Sequence, residues 1–368
     1  MRVAVLKEVV AGEKRVAAVP ATVEKMVGAG MEVFVQAGAG LASGFSDDEY
    51  RTAGAEVGPA MGTADVVLKV QRPSEQELDV VPERAALVAY SLQARGDREF
   101  VEKLRRRRIS ALSLDLLPRI ARAQSMDVLS SMANIAGYKS VLLAANALGK
   151  FFPMLMTAAG TVLAARVFVV GAGVAGLQAV ATARRLGALV SAFDVRPAVK
   201  EQVASLGARF VAAEIDAHAE DAKGYAKEVS ADAARREREV LQEELKTSDV
   251  CITTALVPGK RAPVLVTADM VEAMRPGSVI VDVAAEQGGN CQLTEPGKEI
   301  VRSGVTILGP LNIPSSMAFQ ASQLYARNVL NFLLHLYDGK TGTIALDPAD
   351  EIVKGCLIAH AGEVLQPV

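Results

Sequence analysis

Tryptophan is absent from this 368-residue chain, and aromatic residues together make up only 4% of it. Proteins that hold single-stranded nucleic acid stack bases on such rings, so no nucleic-acid partner is expected. An excess of charge of one sign is missing too: 40 Lys and Arg against 42 Asp and Glu leave a net −2. No basic field is available to draw in nucleic acid or anionic lipid. The three cysteines, Cys251, Cys291 and Cys356, form no CxxC pair. Such a set reads as small buried hydrophobes in a reducing cytoplasm, not as disulfides, and no metal site is expected. The N-terminus "MRVAVLKEVV" lacks the long apolar segment of a signal peptide and reads as a strand. The most membrane-like run, "FFPMLMTAAGTVLAA" at 151–165, is interrupted by Pro153 and Gly160 and bracketed by Lys150 and Arg166. A spanning helix needs roughly 18–20 unbroken apolar residues, so the run reads as a buried connection and the chain as soluble.

What is present is 51% hydrophobic and 22% charged, the balance of an ordered α/β protein with room for two or three domains. Short apolar runs at 3–6, 32–37, 65–70, 86–90 and 109–114 read as strands, with helical patterns such as "ATVEKMVGAG" and "REFVEKLRRRR" between them. Strand–helix alternation implies a mostly parallel sheet. The "RRRR" at 105–108 reads as a solvated helix end, where cations favour the dipole. A long helix from 128 to 149 leads to a second α/β unit with strands near 166–170, 209–213, 249–255, 278–284 and 305–309. Residues 214–247 form a charged insertion, read as a mobile loop around Tyr225 followed by a polar helix. The tail at 321–339 reads as an amphipathic helix returning to the first unit. The expected fold is α/β, with two Rossmann-like domains of parallel sheet, the second inserted into the first and a cleft between them. The expected boundaries are 1–128 plus 318–368 for the first domain and 129–317 for the second.

"VFVVGAGVAGLQAV" carries the sharpest local signal. An apolar strand runs into Gly171-Ala172-Gly173-Val174-Ala175-Gly176 and then a helix. The first glycine permits a tight turn, the second lets the backbone approach a pyrophosphate, and the third lets helix and strand pack closely. The next strand ends at Asp194, 23 residues after Gly171, followed by Val195 and Arg196. An acid there accepts hydrogen bonds from the adenosine ribose and disfavours a 2′-phosphate, so NAD(H) is the expected cofactor. Arg196 works the other way, since a nearby Arg can accommodate that phosphate.

A second polar cluster, in "RAQSMDVLSSMANIAGY" (122–138), sits where an apolar helix begins. Asp127 and Ser130 there are either helix caps or members of a ligand clamp.

The strings "RAQSMDVLSSMANIAGYKSV", "GAGVAGLQAVATARRLGA", "DVRPAVKEQVASLGA", "GGNCQLTEPG" after "VIVDVAAE", and "NIPSSMAFQASQLYARN" run nearly end to end. They resemble the NAD(H)-binding, soluble alpha component (domain I) of the Re/Si-specific, proton-translocating NAD(P) transhydrogenases. Alanine dehydrogenase is a relative of the same architecture. The resemblance implies that Arg119, Asp127 and Ser130 hold the nicotinamide carboxamide and ribose. It also implies that Gln124 reaches toward the nucleotide on a partner, and that Tyr225 lies on a loop closing over bound nucleotide. It further implies a homodimer, NADP(H) on an NADP-binding partner subunit, and a membrane proton-channel subunit. The chain itself would be cytoplasmic, held at the inner face of the cell membrane through those partners.

The alanine dehydrogenase pattern uses an Arg and a Lys for the substrate carboxylate, matched by Arg15 and Lys69, and then a histidine for proton transfer. This chain has only His218, His335 and His360, none within the first 217 residues. The acidic position after "VDVA" is also altered, to Glu286 after "VDVAA". Amine oxidation needs a base. Hydride transfer between two nicotinamides needs instead two C4 carbons held about 3–3.5 Å apart in the right orientation. The primary expectation is therefore a transhydrogenase component. The alternatives are an altered alanine-type dehydrogenase and a non-catalytic NAD-binding regulatory module.

Overall fold

The structure, a computed structural model, describes residues 1–59, 62–92, 97–212, 231–257 and 260–366, with the side chains of 231–234 excepted. The first segment supplies strands β1 (Arg2–Val5), β2 (Glu32–Gln36), β3 (Glu56–Gly58), β4 (Val66–Leu68), β5 (Ala86–Ala89) and β6 (Ser110–Ser113). Helices α1 (Pro20–Gly28), α2 (Asp47–Thr52), α3 (Glu75–Val80) and α4 (Arg98–Arg106) alternate with them. A long helix, α5 (Val128–Ala147), follows. The middle segment holds a hairpin of β7 (Leu155–Thr157) and β8 (Gly160–Val162). It continues through β9 (Arg166–Val170), α6 (Val174–Arg185), β10 (Leu189–Phe193), α7 (Lys200–Ser205), β11 (Arg209–Val211), α8 (Ala231–Thr247) and β12 (Val250–Thr253). It ends with α9 (Ala268–Glu272), β13 (Val279–Asp282), β14 (Glu299–Arg302) and β15 (Val305–Leu308). The last segment adds α10 (Ala318–Leu336), a small β16–β17 pair (Tyr337–Asp338 and Thr343–Ile344), α11 (Glu351–Cys356), and β18 (Leu357–His360) with β19 (Glu363–Val364).

Two compact units result: Met1–Met132 with Ser315–Val368, and Ala133–Pro314. In the first, eight strands run in the order β19-β18-β6-β5-β4-β1-β2-β3. All neighbours are parallel except β18, which pairs antiparallel with β6 and β19. In the second, seven strands run β11-β10-β9-β12-β13-β15-β14, parallel except for the edge strand β14. Both sheets are doubly wound. The order reverses between β1 and β4 in one and between β9 and β12 in the other, and such reversals open a crevice at the carboxyl ends of the strands.

The strands read as unbroken apolar runs because both faces are covered. Val167, Val169, Ile252, Val279 and Val281 face one core, into which Val141, Ala144 and Ala179 pack. Phe168, Val170, Cys251 and Ile280 face the other, with Leu241, Leu245 and Met270. Helix α8 is therefore not purely solvated: Leu241 and Leu245 anchor it, and Glu237 is buried beside them. All three cysteines are free and buried.

The run 151–165 differs from expectation. Phe152 and Ala165 are buried, and the Ala165 N–H donates to the Phe152 carbonyl, but the residues between them form the exposed β7–β8 hairpin. Met156 is 82% and Leu163 71% exposed. Gly160, opposite Thr157 at φ +117°, closes the tight reversal between the two strands. Among the described residues, the helix that meets the length and composition of a membrane span is α5, yet Val141 and Ala144 on it are fully buried in the second core.

Candidate functional site

The β9–α6 junction lies at the crevice between β9 and β12. Gly171 adopts φ +93°, and a Cβ there would stand 2.8 Å from Thr254 Oγ1 and 3.2 Å from the Ala255 amide nitrogen. A Cβ on Gly176 would stand 1.8 Å from the Gly171 carbonyl oxygen. At Gly173, by contrast, only the Arg196 guanidinium comes within 4 Å, at 3.9 Å. The three glycines thus divide the work as their spacing implies: a strained turn, an open approach, and close helix–strand packing. Gly173 is the N-cap of α6. The amides of Val174, Ala175 and Gly176 in the first turn have no acceptor four residues back, so they are available to an anion. An open, donor-lined cradle of this kind fits a pyrophosphate.

Asp194 ends β10, and its side chain is 7% exposed. Its Oδ2 accepts the Ala172 N–H at 2.7 Å and the Arg196 Nη2–H at 2.9 Å. Its Oδ1 accepts the backbone and Nε donors of Arg196, both at 2.9 Å. The carboxylate is already partly neutralised, so any repulsion of a 2′-phosphate is weaker than that of a lone acid.

The opposite wall of the crevice carries no motif that stands out in the sequence. Thr254 follows β12 and donates its hydroxyl to the Gly171 carbonyl at 3.0 Å, pinning the glycine turn from the next strand of the crevice. Asn290, fully buried, accepts from the Ala255 N–H at 3.0 Å and donates to the carbonyls of Ala255 and Pro263, each at 2.8 Å. The signal available was "TTA" at the end of a strand flanking the fingerprint.

In the first unit, Asp127 directly precedes α5. It accepts from the Ser130 amide at 2.9 Å and the Ser130 hydroxyl at 2.5 Å. This is N-capping, which satisfies one otherwise orphaned amide. Arg119 and Gln124 are exposed just before it. The short 3₁₀ segment Ala121–Met126 that carries Gln124 is tied to α10, where Asn328 and Asn331 both donate to the Ser125 carbonyl, at 2.9 and 3.0 Å. Arg122 lies 3.6 Å from Asp350, which also pairs with His335 at 2.5 Å. Tyr225 and His218 lie outside the described residues.

Arg15 and Lys69 sit at the first unit's own crevice, after β1 and β4, and both are buried in ion pairs. Arg15 meets Glu13 at 2.6 Å. Lys69 is fully buried and pairs with Glu77, with Glu8 at 3.7 Å. Burial pushes the Glu8 carboxyl up to about 7, against the pull of Lys69 and the Val70 and Gln71 amides. Burial acts on Glu13 as well, but the hydrogen bonds and charge of Arg15 outweigh it and hold Glu13 at about 2. Glu286 accepts the backbone N–H of Asn312. His360 pairs with Ser110 at 2.9 Å.

The crossover order, the glycine cradle and the acid at the end of β10 define a Rossmann-type dinucleotide-binding α/β protein. The chain belongs to the alanine dehydrogenase/PNT family, whose N-terminal domain model matches residues 4–136 and whose C-terminal domain model matches 140–367, and within it to the NAD(P) transhydrogenase alpha subunits. It is similar to an NAD(P) transhydrogenase alpha subunit of Rhodospirillum rubrum, 49% identical across 100% of this chain and 98% of that one. The fold is similar to a solved transhydrogenase from Sinorhizobium meliloti, with a TM-score of 0.90, 46% identity, and 99% and 100% of the two chains covered. An L-alanine dehydrogenase structure is also similar, with a TM-score of 0.83, 30% identity, and 100% and 97% covered.

Proposed function

We propose that this chain binds NADH and passes its hydride directly to NADP⁺ held by a separate subunit, in a Re/Si-specific transhydrogenase. A membrane subunit of the same complex couples the transfer to proton translocation. Bound NADH supplies the hydride: its C4–H bond breaks, a C4–H bond forms on NADP⁺, and no proton is taken up or released in that step. In this reading the amides of Val174, Ala175 and Gly176 hold the pyrophosphate. Gly173 admits it, Gly171 and Ala172 shape the turn, and Asp194, with Val195 and Arg196 beside it, meets the adenosine ribose. Arg119, Asp127 and Ser130 orient the nicotinamide, Gln124 faces the partner's nucleotide, and Tyr225 covers the site. A homodimer bound peripherally at the cytoplasmic face of the membrane is the proposed assembly.

The observation that carries this choice over an amino-acid dehydrogenase is a complete dinucleotide cradle in a chain with no histidine before His218. Hydride exchange between two nicotinamides needs orientation and exclusion of water, not a protein base. The test is NADH oxidation by the purified chain, with pyruvate plus ammonia and, separately, with an NADP-binding partner subunit. Turnover only with the partner supports the proposal. Turnover with pyruvate and ammonia alone overturns it, and turnover with neither leaves a binding module.

A further inference from the structure

Helix α5 contains one glycine, Gly137, midway along its 20 residues. Glycine in a helix interior is less favourable than alanine, and Gly137 is not among the residues with positive φ. Its backbone conformation therefore does not explain its presence, but a close approach does. A Cβ built on Gly137 would stand 2.1 Å from the carbonyl oxygen of Ala175 and 2.9 Å from its carbonyl carbon. Among the described glycines only Gly176 meets a neighbouring atom more closely, at 1.8 Å from the Gly171 oxygen. Both of these contacts fall on the first turn of α6. Gly176 sets that turn against the strand end, and Gly137 sets it against α5. On the α5 side the Ser140 hydroxyl, fully buried, donates to the Gly137 carbonyl at 2.8 Å.

We propose that Gly137 is a positioning residue for the dinucleotide, a fourth glycine of the cradle lying outside the fingerprint in sequence. This rests on the NADH-binding reading above. Gly137 touches no nucleotide. It lets α5 seat the Val174–Gly176 turn where its amides converge on a pyrophosphate. A methyl group at 137 meets backbone and no yielding side-chain tip, so α5 and the turn must separate by about an ångström to restore ordinary contact. Hydrogen bonds from N–H to oxygen have a mode near 2.9–3.0 Å and weaken steeply as their geometry degrades. The loss therefore falls on the phosphates and spares the adenosine pocket.

The test compares NADH, ADP and adenosine binding to the full wild-type chain and to Gly137→Ala by equilibrium titration, alongside circular dichroism and melting without ligand. The expected result is a loss of roughly tenfold or more in affinity for both NADH and ADP, with adenosine within about twofold and helicity retained. Equal losses for all three ligands, or unchanged affinities, overturn the inference and leave Gly137 as packing alone. If Gly137→Ala does not fold, hydrogen exchange on the wild-type chain decides. ADP should slow exchange across 134–141 of α5 as the α6 turn is fixed, and unchanged exchange there overturns the inference. A wild-type chain that binds neither NADH nor ADP overturns the functional reading and this inference with it. Normal wild-type binding with an unaffected variant overturns the inference only.

Discussion

At the scale of single residues, two acids show how neighbours decide what a side chain can do. Asp194 has the place of a ribose acceptor, but Arg196 and the Ala172 amide already occupy both of its oxygens. Preference for NADH over NADPH is therefore expected but modest, and Arg196→Ala should widen it by exposing the carboxylate to a 2′-phosphate. Titration of both nucleotides against both proteins checks this, and tighter NADPH binding by the wild type would refute the role given to Asp194. Glu8 makes a different prediction. Its ordinary value of 4.5 is raised to about 7 in the fold, foremost by burial. Below pH 4.5 folded and unfolded chains both keep its proton. Between there and about 7 only the unfolded chain releases it, so stability falls as pH rises, by on the order of 3 kcal/mol. Glu13, held at about 2, acts in a separate window: its contribution is present above 4.5 and is lost as pH falls toward 2. Glu8→Gln should flatten the decline between pH 4.5 and 7 in urea titrations while leaving the acid limb intact. A wild-type curve already flat across that interval would contradict the assignment.

At the scale of elements, α5 is where a structural role and a functional one are easiest to confuse. Asp127 caps it through Ser130, and a cap is worth about 1 kcal/mol. Asn caps almost as well as Asp but carries no charge. Asp127→Asn should therefore melt within about 2 °C of wild type, whereas Asp127→Ala should lose roughly 1 kcal/mol of stability. If the residue also orients nicotinamide, both variants should slow hydride transfer. Full activity in Asp127→Asn would reduce Asp127 to a cap. The elements also show where the sequence was legible. The central strands of both sheets and α5 stood out because apolar runs bounded by glycine and charge leave few alternatives, and the glycine cradle because its spacing is tied to a mechanism; the short strands β3 and β16–β19 gave no such run. Residues 151–165 did not, since a short uncharged apolar run has the same composition in a buried connector as in an exposed hairpin. Helices α2 and α3 are six residues each, too short for a period to emerge. The edge strand "EIVR" alternates too weakly to announce itself. The partners of Arg15 and Lys69, and the approach of Gly137 to Ala175, belong to tertiary contact that no local pattern encodes.

At the scale of the whole molecule, the chain joins a unit that carries the dinucleotide cradle to one whose crevice is filled by its own ion pairs. Arg15 and Lys69 are engaged by Glu13, Glu8 and Glu77, so an incoming carboxylate would have to displace a buried internal partner. Gln124, exposed and carried on a segment tied down by Asn328 and Asn331, is suited to a contact outside the chain. Gln124→Ala should leave NADH binding to the isolated chain within a few-fold yet slow transfer in the reconstituted complex by roughly 100-fold, the scale of a misplaced reacting pair. Undiminished transfer would return Gln124 to a surface role. In the proposed reaction hydride moves directly from this chain's NADH to NADP⁺ on a partner. It is tested most directly by following the label from NADH deuterated at the transferring C4 position, with the partner subunit and NADP⁺ present. Direct transfer places the deuterium in NADPH, with none released to water. Deuterium found in alanine when pyruvate and ammonia are supplied without the partner would contradict it.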